Sequence, residues 1–177
     1  MIIDEKNCLL LIIDIQEKLI NSTFNKDLLE NKARIIANAA KILSIPIIVT
    51  EQYPKGLGET ISGLKENAKT FIKTDFNALS DEELLNSLVK SEKKQILIIG
   101  IETHICVYQT VEALLKNGFE VFVLSDACGS RSENEYKSAL DYMNKINANI
   151  KTVEMAIFDL LKTAKHPHFK EIQALIK

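Results

Sequence analysis

The sequence predicts a three-layer α/β/α sandwich built around a six-stranded parallel sheet. Short apolar runs of strand length alternate with amphipathic helical patterns along the 177 residues, as expected for strand–helix units joined by right-handed crossovers. The run from Cys8 to Ile13 is almost continuously apolar, which is typical of a strand buried on both faces of a sheet. We find no interdomain linker, and we expect one domain spanning residues 1–177.

The elements follow one another in a regular order. Strand one is the run from Cys8 to Ile13, and the other strands are predicted at residues 45–50, 70–73, 95–99, 119–124 and 149–153. Helical patterns are predicted at residues 28–43, 84–89, 107–117 and 133–146, with further helices on either side of His166 and Pro167. Ser80 and Glu83 have the spacing of a capping box before the second of these helices. Asn117 and Gly118 form a stop signal at the end of the third.

Composition limits the kinds of partner. The formal net charge is −2 and no block of lysine or arginine is present, so we expect neither nucleic acid nor a membrane as a partner. The amino terminus resembles no signal peptide. The three cysteines are widely separated and form no CxxC pair, which argues against a disulfide framework or a zinc knuckle. We therefore expect a cytoplasmic protein with reduced thiols.

Reactive side chains follow several strands at their carboxyl ends, where open parallel sheets bind ligands. Asp14 follows strand one, Lys73 ends strand three, and Cys106 follows strand four in the first turn of a helix. The helix dipole and free N–H groups there favour a thiolate, a carboxylate can take the thiol proton, and an ammonium can stabilise the thiolate. Each residue also has an ordinary alternative: Asp14 as a helix cap, Lys73 as a solvated strand end, and Cys106 as a small buried residue.

The connection from Glu51 to Lys69 is the least regular part of the chain and contains one proline and three glycines. A loop of this length in a compact domain is often a lid or a pocket wall. The sequence leaves that interpretation and a plain surface loop equally open.

Four segments carry a family resemblance, namely Leu10–Gln16, Lys73–Ala78, Gly100–Cys106 and Ser125–Arg131. They resemble, in order and spacing, the motifs of the isochorismatase-like cysteine hydrolases, a superfamily that also holds nicotinamidases and N-carbamoyl-amide hydrolases. Asn77 stands where the second motif usually has serine. Residues 50–58 and 164–170 are most similar to the isochorismatase-domain-containing subgroup, whose substrate is unknown.

The resemblance implies the strand order 3-2-1-4-5-6 and a catalytic triad of Asp14, Lys73 and Cys106. Asp14 would act as the general base toward the thiol, and a thioester on Cys106 would then be hydrolysed by water. The backbone N–H groups of Glu102 and Cys106 would form the oxyanion hole, and the peptide bond between Ile101 and Glu102 would be cis. With strand three two strands away from strand one, the Lys73 side chain would have to span about 10 Å.

The chain differs from the better-known members of this superfamily. Nicotinamidases carry an aspartate-and-histidine metal cluster after strand two, where this chain has no histidine, so we predict no metal and no cofactor. We expect His104 to be a packed or capping residue, although a role in the pocket is open. Candidates for the pocket wall are Gln16, Gln52, Phe76 and Glu102. Each of them also has an ordinary alternative as a turn cap, a core residue or a backbone contributor.

The leading hypothesis is a metal-independent cysteine hydrolase that acts on a small amide, carbamoyl or related carbonyl substrate and self-associates into a homo-oligomer. A binding or scaffold protein that keeps the fold without turnover is the alternative. A nucleotide-dependent oxidoreductase has no support, because residues 14–19 stand where a GxGxxG turn would follow strand one.

Overall fold

The computed structural model describes residues 1–66 and 68–177. Its strands are β1 (Cys8–Ile13), β2 (Ile47–Gln52), β3 (Lys69–Lys73), β4 (Gln95–Ile101), β5 (Glu120–Gly129) and β6 (Asn149–Lys151). They form one sheet in the order β3-β2-β1-β4-β5-β6, and every neighbouring pair is parallel. The predicted strand order is therefore confirmed.

Eight α-helices connect and flank the strands in the described part of the chain. They are α1 (Glu17–Ile20), α2 (Lys26–Ile42), α3 (Pro54–Leu57), α4 (Glu82–Lys90), α5 (Tyr108–Lys116), α6 (Glu133–Lys145), α7 (Val153–Leu161) and α8 (Phe169–Leu175). Among the described residues, no helix is both long enough and apolar enough to cross a lipid bilayer.

The hydrophobic core lies on both faces of the sheet. All six residues of β1 are buried, and their side chains alternate between the two faces. Leu10 and Ile12 pack beneath α2, α7 and α8 on one face. Leu9 and Leu11 pack beneath α4, α5 and α6 on the other. This arrangement is the predicted α/β/α sandwich, and it explains the continuous apolar run of β1.

Strand β5 is longer than the sequence predicts, ending at Gly129 rather than at Leu124. Its pairing with β4 shifts register after Ile98 and resumes between Gly100 and Cys128. The apolar pattern is interrupted inside this irregular stretch, which is why the sequence placed the end of the strand too early. The extension carries the residues after Leu124 to the carboxyl edge of the sheet.

The start of α4 also differs from the prediction. Ser80 belongs to a short 3-10 turn, and the carboxylate of Asp81 caps the helix instead. One oxygen of Asp81 accepts hydrogen bonds from the backbone N–H groups of Glu83 at 2.8 Å and Leu84 at 3.3 Å. The predicted capping box of Ser80 and Glu83 is therefore wrong, because the next residue supplies the same kind of cap.

The irregular connection after β2 is tied to its surroundings at several points. The buried Glu51 carboxylate accepts a hydrogen bond from the Thr60 N–H at 2.7 Å. The Arg34 guanidinium of α2 donates to the Ser62 carbonyl at 2.6 Å. These bonds fix residues 58–63 against the body of the protein, as expected for a fixed wall rather than for a loop that opens freely.

Gly100 allows β4 to approach β1 closely at the point where the site begins. A Cβ atom at this position would lie 2.5 Å from the Ile13 carbonyl oxygen and 2.7 Å from the Ile13 Cβ. Neither backbone nor Cβ can move aside as a flexible side chain would, so the contact requires glycine. The residues that follow β1 and β4 in the chain therefore lie next to each other.

We expect Ile12→Ala to lower the free energy of unfolding by about 2–5 kcal/mol, because Ile12 is fully buried in the central strand. The matched variant Ile72→Ala should lose at most about 1 kcal/mol, since Ile72 is 64% exposed on the edge strand. Urea unfolding of both variants measures the difference. Equal losses would contradict the assignment of β1 to the centre of the core.

Candidate active site

The candidate site lies where the strand order reverses, between β1 and β4. Ile13, the last residue of β1, is in register with Gly100 of β4. Asp14 and the segment that carries Cys106 therefore leave the sheet side by side at its carboxyl edge. Ligands bind in open parallel sheets at this kind of position.

Asp14 is fully buried and held in a fixed orientation. Its backbone lies in the left-handed region with φ of 52°, which aspartate tolerates better than most residues. One carboxylate oxygen accepts a hydrogen bond from the Thr50 hydroxyl at 2.7 Å. The N-cap position of α1 belongs to Gln16 and not to Asp14. The ordinary alternative of Asp14 as a helix cap does not describe this structure.

Lys73 reaches Asp14 across the intervening strand. Its Nζ lies 2.7 Å from the second carboxylate oxygen of Asp14, and the lysine side chain is only 3% exposed. On the way it donates to Oε1 of Gln52, at the end of β2, at 2.7 Å. The carbonyl oxygen of Asp75 accepts a third hydrogen bond at 3.1 Å. The ammonium therefore uses all three of its donors, and Lys73 is a buried ion-pair partner rather than a solvated strand end.

Cys106 lies in a π-helical turn that precedes α5, and not in the first turn of the α-helix itself. Its side chain is 6% exposed. Burial and the nearby Asp14 carboxylate raise the pKa of the Cys106 thiol to about 12, and the Lys73 ammonium offsets only part of that effect. The expectation of a thiolate favoured at rest is therefore wrong. The desolvation and the carboxylate outweigh the cation.

The other two cysteines have different surroundings. Burial raises the pKa of Cys8 and of Cys128 to about 12 as well. Cys8 packs in the core with its thiol directed toward the Glu5 carbonyl, and Cys128 lies in the core on the opposite face of the sheet. Cys106 differs from both because the Asp14 carboxylate and the Lys73 ammonium act on its sulfur.

A cavity of about 170 Å³ opens at the thiol of Cys106. Its lining comprises Leu19, Gln52, Leu57, Phe76, Glu102, Ile105, Cys106 and Arg131. Gln52 and Phe76 therefore lie where the sequence analysis expected them. Leu57 comes from α3, so the long connection after β2 contributes to the pocket wall.

Gln16 does not line this cavity, which corrects the expectation for that residue. Its side chain is fully buried, and its amide nitrogen donates to the carbonyl oxygens of Gln52 at 3.0 Å and Gly58 at 2.6 Å. Its amide oxygen accepts from the Gln52 N–H at 2.7 Å. Gln16 thus fixes the end of β2 and the pocket-wall loop relative to β1.

Glu102 and Arg131 form a two-pronged ion pair at the cavity. Nε and Nη2 of Arg131 each donate to a separate carboxylate oxygen of Glu102, both at 3.0 Å. The ring of His104 lies 3.4 Å from the same carboxylate and 3.0 Å from the Ser130 hydroxyl. His104 is therefore a packed residue that supports Glu102. The peptide bond between Ile101 and Glu102 is cis.

Four of the lining residues have no role predicted from the sequence. Arg131 enters only as the last residue of the motif Ser125–Arg131, and Leu19, Leu57 and Ile105 lie in no candidate site. The leucines come from short helices whose placement depends on tertiary contacts, so no local pattern identifies them. In residues 1–66 and 68–177, no cluster of histidine, cysteine, aspartate and glutamate is arranged to hold a metal ion.

We expect Asp14→Asn to lower the pKa of Cys106, because the carboxylate that raises this pKa is removed and the Lys73 ammonium loses its partner. At a fixed mildly alkaline pH the thiol should then alkylate about tenfold faster or more. The measurement is the alkylation rate of the Cys106 peptide against pH, followed by mass spectrometry. Cys128 serves as the internal control, and an unchanged Cys106 profile would show that Asp14 does not act on this sulfur.

Comparisons with known proteins agree with this geometry. The isochorismatase domain family model matches residues 8–155. The chain is 42% identical to isochorismatase family protein 1B of Dictyostelium discoideum, over 95% of this chain and 85% of that protein. It is 40% identical to isochorismatase domain-containing protein 2 of Xenopus laevis, over 97% of this chain and 84% of that protein.

A solved structure of a Caenorhabditis elegans protein named MAR1 ribonuclease superposes with a TM-score of 0.93 at 38% identity. The match covers 99% of this chain and 92% of that one. The family model matches most of the chain, the sheet order is as predicted, and relatives of about 40% identity match nearly all of this chain. The chain therefore belongs to the isochorismatase domain family.

Proposed function

We propose that this protein is a metal-independent cysteine hydrolase that cleaves a small amide, carbamoyl or related carbonyl compound through a thioester on Cys106. The observation that carries the proposal is the buried ion pair of Asp14 and Lys73 acting on the one cysteine that opens into a cavity. A nucleophile, a base in contact with it and a group that orients the base are the parts that nucleophilic catalysis requires.

In the proposed reaction, the Cys106 sulfur attacks the substrate carbonyl carbon while Asp14 takes the thiol proton. The protonated Asp14 then gives this proton to the leaving nitrogen, the C–N bond breaks, and an amine departs. Water attacks the thioester, Asp14 takes a proton from it, and the C–S bond breaks to release the acid. The proton on Asp14 returns to the sulfur, so the site is restored.

Lys73 supports this cycle by pairing with the Asp14 carboxylate at 2.7 Å and holding it in place. Asp14 is fully buried, so its charge depends on this partner rather than on solvent for compensation. The high pKa of the thiol means that the resting site holds a thiol and a carboxylate, not a stored thiolate. Proton transfer therefore accompanies the attack on the substrate.

The oxyanion hole is part of the same proposal. The N–H groups of Glu102 and Cys106 belong to the turn that follows β4, and the carboxylate of Glu102 is held by Arg131 and His104. Such anchoring keeps backbone donors fixed, which is how preorganised donors stabilise a developing oxyanion.

The name of the C. elegans relative raises RNA as a second kind of substrate. Within the described lining of the cavity, Arg131 is the single cation, and it is already paired with Glu102. Binding to a phosphate backbone depends on several lysines or arginines that are free to contact phosphates. The site therefore supports a small carbonyl substrate better than a polyanion.

We expect Cys106→Ala to abolish turnover of the best substrate in a panel of small amides and N-carbamoyl compounds, with a loss of about 10³-fold or more. Cys128→Ala, which removes a fully buried thiol that does not line the cavity, should retain most of the activity. The assay follows amine or ammonia release, and rapid acid quenching with intact mass measurement should show the acyl adduct on Cys106.

Two results would overturn the proposal. Cleavage of RNA that survives Cys106→Ala, with no amide turned over by the wild type, would favour a ribonuclease. A Cys106→Ala variant that keeps the cellular effect of the protein would favour the binding or scaffold alternative.

We also propose that the protein self-associates, which is supported by exposed apolar side chains on and after the edge strand β3, namely Ile72 at 64% and Phe76 at 53%. Light scattering coupled to size exclusion should then give a mass of at least twice the 19.9 kDa of the chain. A mass of one chain across the accessible concentrations would contradict it.

A further inference from the structure

The cavity beside Cys106 is small and largely apolar. Leu19, Leu57, Phe76 and Ile105 line it together with Cys106, and the volume of about 170 Å³ lies below the 300–1,000 Å³ that is typical of pockets for drug-sized ligands. The wall is also held in place, because Gln16 binds the backbone on both sides of α3. The space therefore accepts a compact acyl group without polar substituents.

The charges around this space cancel. Arg131 is neutralised by Glu102 through two hydrogen bonds of 3.0 Å. Lys73 is neutralised by Asp14 at 2.7 Å. Each ion pair contributes one positive and one negative charge, so the four residues together contribute no net charge. The sulfur adds none, because burial and Asp14 keep it in the thiol form.

An anionic substrate would find no free cation in such a site. A carboxylate placed in the cavity would lose its hydration and would lie beside the carboxylate of Glu102, which lines the same space. A buried charge of this kind is stabilised only by a partner of opposite sign that is not already occupied. A neutral amide has no charge to dehydrate and is not repelled by a carboxylate.

We propose, building on the proposed function, that the substrate is a small uncharged amide or carbamoyl compound with an apolar acyl group. In this proposal Glu102 is the specificity-determining residue, because its carboxylate cancels the Arg131 cation that would otherwise attract carboxylate-bearing substrates. The neutrality of the Glu102–Arg131 pair thus selects against anions, and the four apolar side chains select for a short hydrocarbon group.

Two alkylating agents of similar size and the same leaving group test this directly. Iodoacetamide is neutral and iodoacetate is anionic, and in both reactions the deprotonated sulfur forms a bond to the CH₂ carbon as iodide leaves. The measured quantity is the ratio of the two rate constants at Cys106, obtained by peptide mapping. The same peptide in the urea-unfolded chain gives the intrinsic ratio, to which the folded ratio is compared.

We expect folded Cys106 to favour iodoacetamide over iodoacetate by at least tenfold more than the unfolded chain does. Glu102→Gln should recover about tenfold or more of the iodoacetate reactivity, because Arg131 then becomes a free cation. Glu30→Gln is the control, since Glu30 also pairs with an arginine, Arg34 on α2, through one carboxylate oxygen, and its loss changes the net charge equally. This control should leave the ratio unchanged.

The outcomes separate this inference from the proposed function. The inference would be overturned if folded wild-type Cys106 favoured iodoacetamide over iodoacetate no more than the unfolded chain does. This holds even if the protein turns over amides. A Glu102→Gln ratio that does not move, with the variant shown to be folded by circular dichroism, would also overturn it. If Glu102→Gln does not fold, two wild-type measurements still test the inference. They are the ratio of the two alkylation rates at Cys106 and the turnover of neutral amides compared with that of amides that carry a carboxylate. If instead the proposed function is wrong, no amide or carbamoyl compound is turned over, while Cys106 still reacts preferentially with iodoacetamide.

Discussion

The buried ion pair between Asp14 and Lys73 is the interaction on which the rest of the site depends. It joins the ends of β1 and β3 over the end of β2, with Asp14 fully buried and the Lys73 side chain 3% exposed. Removing one partner of such a pair typically costs about 3–5 kcal/mol, because the other charge stays buried and unpaired. Gln52 and the Asp75 carbonyl complete the coordination of the ammonium, so the charge is fully accommodated without solvent.

This pair also determines how the thiol behaves. A lone lysine beside Cys106 would favour a thiolate, but burial of the thiol and then the Asp14 carboxylate outweigh the cation, and the pKa of the sulfur rises to about 12. In the proposed reaction, the nucleophile is therefore stored in its less reactive thiol form next to the carboxylate that would act as its base. Reactivity then depends on a bound carbonyl, which limits modification of the thiol when the cavity is empty.

The sequence was sufficient for the architecture, because strands such as β1 are buried on both faces and leave a continuous apolar signal. It was insufficient wherever a role depends on contacts between distant segments. Gln16 was expected in the pocket wall but instead anchors the loop at Gly58, and Leu57 enters the wall only because that loop is anchored. The predicted cap of α4 was wrong for a simpler reason, since Ser80 and Asp81 are adjacent and equally suited to cap a helix.

The two ion pairs together are compatible with the uncharged substrate that we propose, although the site contains four charged groups. In the proposed reaction Asp14 and Lys73 carry charge, and their opposite signs leave no net charge for a ligand to balance. Glu102 extends the same arrangement to Arg131, while its backbone is available for the developing oxyanion. The charge that the reaction creates therefore appears only in the transition state, where fixed donors stabilise it more than they stabilise the neutral substrate.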